Sequence, residues 1–190
     1  MERLIVCLES SELSDVVFFN CIAKKEICGE TSERCNHYRA LIESWPASKQ
    51  SIAFFWPVPW GKAIKLNEVI LTNNLKFSSR IAGNDMEFSA KVALARPKIS
   101  VFSEDVYVCY ESVGSLTGTL SAEKALDRLK ANINRNRLYY SNNVDFVHYN
   151  YCGRFFLKAM PSIVQKREFS VVWDAIKNFF ISLRMNFLSK

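Results

Sequence analysis

Three cysteines and one histidine near the start of the sequence have the right chemistry for a metal site. The pattern is Cys21-x6-Cys28-x6-Cys35-x-His37. Three thiolates and one imidazole can bind Zn²⁺ tetrahedrally, but structural zinc sites usually hold ligand pairs of the form C-x2–4-C. On a helix, side chains two positions apart also point to different sides. We therefore keep these four residues as weak zinc candidates and predict no metal and no cofactor.

A second set of reactive side chains lies further along the chain. His148, Asn150 and Cys152 alternate along a predicted strand, and these residue types could supply a cysteine nucleophile and its base. Four residues of strand span about 13 Å, so the thiol and the imidazole would not touch. The sequence also contains no phosphate-binding glycine loop, no GxSxG elbow and no HExxH helix. We predict a non-enzymatic protein, with a small cysteine-dependent or zinc-containing enzyme as one alternative.

Basic residues supply the strongest signal, because they accumulate toward the C-terminus. Residues 128–190 carry 11 Lys or Arg and 3 Asp or Glu. Guanidinium groups bind phosphates, and tyrosines stack on unpaired bases. We predict contacts with RNA, or less favoured DNA, through a surface centred on a helix. Its candidate residues are Lys124, Arg128, Lys130, Asn132, Arg135, Arg137, Tyr139, Tyr140, Arg154 and Lys158.

The final helix carries a broad apolar face and indicates another kind of contact. An amphipathic helix of this type closes its own domain, binds a second copy or rests on an anionic membrane. We predict homo-oligomerisation, and our other alternative function is a matrix-like assembly protein on an anionic membrane surface. The candidate residues for both roles are Trp173, Phe179, Phe180, Leu183 and Phe187.

The elements that would position these residues alternate in type along the chain. A helix is expected from Thr31 or Ser32 to Pro46, a buried aromatic segment at 51–60, a helix starting after Ser121 and another starting at Ser170. Alternating or apolar runs predict the strands. These are 3–8, 63–71, a hairpin of 75–81 with 86–95, then 99–102, 106–111, 144–151 and 154–159.

Together these elements predict an α+β fold, a single domain whose antiparallel β-sheet packs with about three α-helices. Residues 1–48 form an acidic strand and helix segment, and residues 49–190 a basic α+β body ending in the amphipathic helix. With 190 residues, 49% of them hydrophobic, the chain can bury a core. Its six cysteines and the absence of a signal-like start predict an intracellular, cytoplasmic protein, with the nucleus as the alternative compartment.

Overall fold

A four-stranded sheet built around one central strand forms the N-terminal layer. The structure is a computed structural model and describes residues 14–45, 51–112, 120–145 and 153–188, with the isolated positions 2 and 5. The central strand β1 (Val16–Lys25) pairs antiparallel with β2 (Thr31–Ser32) and β3 (Lys62–Ile64). On its other side it pairs in parallel with the long strand β4 (Ile99–Glu111). The α+β prediction is confirmed, although the sheet is mixed and the described residues form more than the three α-helices expected.

The first helical segment begins where the sequence predicted it. Ser32 caps a 3₁₀ turn (Glu33–Cys35) by accepting a hydrogen bond from the Arg34 amide, and α1 (Asn36–Glu43) follows. A short α2 (Ser51–Phe55) then leads into the aromatic segment. Trp56 is fully buried there, with its indole N–H donating to the Trp60 carbonyl at 2.9 Å. The expectation of a packed aromatic segment is confirmed for this residue.

The predicted hairpin of residues 75–81 with 86–95 is wrong. Residues Asn84–Leu94 form a helix, α3, and Leu66–Leu71 form a π-helical turn in place of most of the strand expected at 63–71. The alternation of Phe88, Ala90 and Val92 suggested a strand, yet Ser89 and Ala93 between and beyond them are buried too. A helix packed on more than one side loses the sequence period that distinguishes it from a strand.

Two further strand predictions are corrected. Residues 99–102 and 106–111 belong to one strand, β4, whose register against β1 shifts between them. Residues 154–159 lie in a helix, α5 (Gly153–Lys166), which contains Pro161. The predicted strand 144–151 lies mostly outside the described residues, as does the one at 3–8.

Three helices form the C-terminal layer. The longest, α4 (Ala122–Ser141), starts at Ser121, whose hydroxyl accepts from the Lys124 amide, and the last, α6, spans Ser170–Leu188. Both starts confirm the sequence prediction. The apolar face of α4 packs against α5 and α6 in a buried cluster. That cluster comprises Ala125, Leu126, Leu129, Ile133, Ala159, Ile163, Val171 and Ala175.

Candidate interaction surfaces

Helix α4 turns several of the predicted nucleic-acid contacts inward. Asn132 is 0% exposed, Arg135 5% and Tyr139 1%. The Asn132 amide donates to the Arg128 carbonyl at 2.8 Å, and the Arg135 guanidinium lies 5.6 Å from the Tyr139 ring centroid. Burial also raises the pKa of Tyr139 to about 12. These three side chains fill space between layers, so they are removed from the candidate surface.

Two more predicted phosphate ligands on α4 are occupied by carboxylates. Lys130 forms an ion pair with Glu168, and Arg137 pairs with Asp174 at 2.5 Å. Both acidic residues belong to the segment of α5, α6 and their connection. These two cations of α4 therefore connect this segment to the body of the protein, and their charges are not free to bind phosphate.

The remaining predicted residues do not form one group. Lys124 and Tyr140 lie at opposite ends of α4, about 24 Å apart at 1.5 Å per residue. The Arg128 guanidinium lies 5.9 Å from the centroid of Phe155, and Lys158 is exposed on α5. The side chain of Arg154 lies outside the described part of the structure.

Exposed apolar side chains also lie on α5 and α6, on the side of each helix opposite the residues it buries against α4. The inner side of α6 is formed by the buried residues Val171, Ala175 and Asn178. The outer side carries Trp173, 59% exposed, and Phe180, 61% exposed, at helical spacing. We call the whole set the α5–α6 surface. It comprises Leu157, Val164, Phe169, Trp173, Ile176, Phe179 and Phe180, with the cations Lys158, Arg167 and Lys177.

Part of this surface was predictable from the sequence, and part was not. Trp173, Phe179 and Phe180 were predicted, while Leu183 and Phe187 lie in α6 with side chains outside the described set. Ile176 belongs to the predicted apolar face of this helix but was not among its candidate residues, and Leu157 and Val164 were placed in no surface. The sequence did indicate exposed apolar residues on α6. This helix carries apolar residues on more than one side, and a helix buries only the sides that its neighbours cover.

The charge on the α5–α6 surface has one sign. Lys158, Arg167 and Lys177 are exposed and form no salt bridge with any described carboxylate. Among the side chains described in α5, α6 and their connection, the acids are Glu168 and Asp174, and both face α4 in the ion pairs above. The Lys177 ammonium lies 5.5 Å from the Trp173 ring centroid. Positive charge is thus interleaved with exposed aromatic rings.

The zinc candidates are not assembled into a site. Cys21 and Cys35 are buried in the core beside the sheet together with Cys109, whereas Cys28 and His37 are exposed. Within the described residues, no three Cys, His, Asp or Glu side chains are grouped to hold a metal ion. Burial, followed by the neighbouring Cys35 and Cys109, raises the pKa of the Cys21 thiol to about 12. His148 and Cys152 lie outside the described residues.

One buried pair of reactive groups has no counterpart in the sequence analysis. Lys62 is 8% exposed, and its ammonium donates to the Ser89 hydroxyl at 2.8 Å and to the Trp56 carbonyl at 3.3 Å. Burial lowers the pKa of Lys62 to about 7. A lysine of this kind can deprotonate a serine, but Ser89 is only 2% exposed, so a substrate cannot reach its hydroxyl. The pair is a buried polar contact between β3 and α3.

Comparison with known proteins adds no family to these observations. No protein-family model and no curated protein matches the chain. In the part of the chain that the structure describes, no helix has the length and apolar character that would let it cross a membrane.

Proposed function

We propose that this protein is a non-enzymatic binding and assembly protein that attaches to an anionic membrane surface through the α5–α6 surface. The observation that supports the proposal is the composition of that surface. Aromatic and aliphatic side chains are exposed together with cations that pair with no described carboxylate, and both nearby acids are turned toward α4. Helices that lie in the membrane interface combine an apolar stripe containing Trp, Phe or Leu with Lys and Arg.

The aliphatic residues favour lipid over RNA as the partner. Unpaired bases stack on aromatic rings, because both present π faces. Leu157, 79% exposed, and Val164, 56% exposed, have no such face, and neither has Ile176. These side chains gain free energy only by leaving water, and the acyl chains of a bilayer accept them together with the rings.

The cations provide the preference for anionic lipid. Each Lys or Arg held near an anionic leaflet contributes about 1 kcal/mol, and the attraction decays within a Debye length. Lys158, Arg167 and Lys177 together would contribute about 3 kcal/mol at low salt. We therefore expect binding that needs both the apolar stripe and the anionic headgroups.

Vesicle flotation tests the proposal directly. The protein should float with phosphatidylcholine vesicles that contain phosphatidylserine, and much less with phosphatidylcholine alone or at high salt. Trp173→Ser/Phe180→Ser should weaken the partition coefficient about tenfold or more, since tenfold corresponds to about 1.4 kcal/mol. Lys177→Glu should weaken binding to vesicles that contain phosphatidylserine and leave binding to phosphatidylcholine vesicles unchanged.

A matched control separates this surface from general stickiness. Leu66 and Leu71 are each 61% exposed on the π-helical turn, as exposed as the substituted aromatics. Leu66→Ser/Leu71→Ser should float like the parent. Equal flotation of the aromatic variant and the parent, with circular dichroism showing both folded, would exclude the α5–α6 surface as the membrane contact.

Nucleic-acid binding is the second candidate function, and one observation favours it. Tyr140 is 54% exposed at the end of α4, and Lys124 and Lys158 add positive charge elsewhere on the same layer. Gel shifts with single-stranded RNA at two salt concentrations test this candidate. Tyr140→Ala should weaken the shift if the ring stacks on a base, by about 1–3 kcal/mol. Unchanged retention by Tyr140→Ala and by Lys158→Glu would exclude both residues as nucleic-acid contacts.

A further inference from the structure

The outer edge of β4 is a second surface that the proposed function does not use. Within the described residues, β4 hydrogen-bonds as a strand to β1 alone, and no other described strand lies along its outer edge. A free edge presents main-chain N–H and C=O groups that can pair with a strand of another chain. The last five residues, 107–111, match 21–25 of β1 without interruption and are therefore the most regular part of this edge.

Side chains at this end of β4 make the edge more attractive than most. Val108 is 40% exposed and Tyr110 58% exposed, on the same face of the strand. Natural edges usually avoid pairing by bulges and charges. In β4 the register shift and the charged residues Glu104 and Asp105 both precede residue 107. Residues 107–110 carry no charge that would keep a partner strand away.

We propose that this edge pairs antiparallel with the same edge of a second copy, with Cys109 opposite Cys109 of that copy. In this register, Val108 lies opposite Tyr110 of the other copy, and Tyr110 lies opposite Val108 of the other copy. The interface therefore contains two identical contacts between an aromatic and a β-branched side chain. Such cross-strand pairs stabilise sheets. Each copy contributes one valine and one tyrosine to this face, so the same surface on two copies is self-complementary, as a two-fold interface requires.

Charge also favours a second copy in this register. Glu111 lies opposite Tyr107 of the other copy, so no two carboxylates of the paired segments face each other. On the exposed face, Ile22 of β1 neighbours Val108, and Lys24 neighbours Tyr110. Pairing therefore aligns the side chains of this face in two rows. Each row runs from Lys24 and Tyr110 of one copy to Val108 and Ile22 of the other copy. The two sheets become one continuous sheet.

A charge-swap experiment tests both the interface and its register. Sedimentation velocity of the parent should show a concentration-dependent shift from 21.9 kDa toward twice that mass. Val108→Lys/Tyr110→Lys should remain monomeric, because each lysine then faces another lysine. Val108→Glu/Tyr110→Glu should also remain monomeric, and an equal mixture of the two should regain the dimer.

The outcomes distinguish this inference from its competitors. Leu66→Lys/Leu71→Lys places two lysines on an exposed site elsewhere and should dimerise like the parent. A parent that stays monomeric at every concentration, or a mixture that fails to associate while both variants are folded, overturns the inference. Dimerisation that is lost in Trp173→Ser/Phe180→Ser and kept in the β4 variants also overturns it, because the second copy would then bind α6. Vesicle flotation is scored separately, so either idea can fail alone.

Discussion

At the scale of single residues, the most unusual group in the protein is the buried Lys62. A lysine almost never lies in a core without a carboxylate partner, because removing its charge from water is costly. Here the nitrogen donates to Ser89 and to the Trp56 carbonyl, and its ammonium lies 6.0 Å from the Phe18 ring centroid. These contacts suit a neutral amine as well as an ammonium, and burial lowers the pKa of Lys62 to about 7 from 10.5.

This lowered pKa predicts how stability changes with pH. Between pH about 7 and 10.5 the unfolded chain binds a proton at Lys62 that the folded chain does not, so the contribution of Lys62 to the free energy of unfolding should rise with pH in this window. Below pH 7 both states are protonated, and the full cost of burying the charge remains. Lys62→Met should therefore be more stable than the parent at pH 6, with the difference shrinking toward pH 10.

Urea denaturation at several pH values measures this effect. Lys76→Met, at an exposed lysine, is the control and should keep the pH dependence of the parent. A Lys62→Met variant less stable than the parent at pH 6 would contradict the prediction, because the hydrogen bonds of the ammonium would then outweigh the cost of its burial.

At the scale of elements, the contact between α3 and α4 depends on one glycine. Gly83 precedes α3 with φ +87°, and a Cβ at this position would lie 2.7 Å from the Cβ of Ala131 on α4. No side chain fits at that distance, so the absence of one lets the start of α3 approach α4 closely. This approach joins the sheet layer to the C-terminal layer.

Two alanine substitutions separate backbone strain from this close contact. Gly29 also has positive φ, +69°, but nothing lies within 4 Å of its would-be Cβ. Gly29→Ala should cost about 1 kcal/mol from strain alone. Gly83→Ala should cost about 1–3 kcal/mol more, because α3 and α4 must move apart. Equal losses in thermal or urea unfolding would mean that the Gly83 contact relaxes freely.

At the scale of the whole molecule, α4 belongs to more than one core. Leu126 and Leu129 pack against α5 and α6, while Tyr139 near its end packs with Ala90 of α3 and edge-on against Phe54 of α2. Because one rigid helix contributes to both layers, neither layer keeps its packing when the other unfolds. We expect the protein to unfold in a single cooperative transition.

Two neighbouring tyrosines test this coupling. Tyr139→Ala should destabilise the protein by about 3–5 kcal/mol, as for other buried aromatic side chains. Far-UV circular dichroism and tryptophan fluorescence should shift together. Helices dominate the first signal, and three of the four tryptophans, Trp45, Trp56 and Trp60, lie in the sheet layer. Tyr140→Ala, 54% exposed in the parent, should change stability by less than about 0.5 kcal/mol. Separate transitions of the two signals would show that the layers unfold independently.

The sequence by itself determined the features that depend on local chemistry. The α+β class, the serine caps at Ser32 and Ser121 and the start of α6 were predictable, since capping acts over a few residues. The spacing along α6 singled out its aromatic residues but did not decide whether they face the core or the solvent. The predicted hairpin failed at α3, where burial on several sides removed the period that separates a helix from a strand.

Only the tertiary structure decided which charges and rings reach solvent. Arg135 and Arg137 are two positions apart on one helix, yet the first is buried beside Tyr139 and the second pairs with Asp174. Their fates depend on α3 and α6, which lie far away in the chain and are brought alongside by packing. A charge count along the sequence cannot show this, because neutralisation and burial are set by neighbours in space.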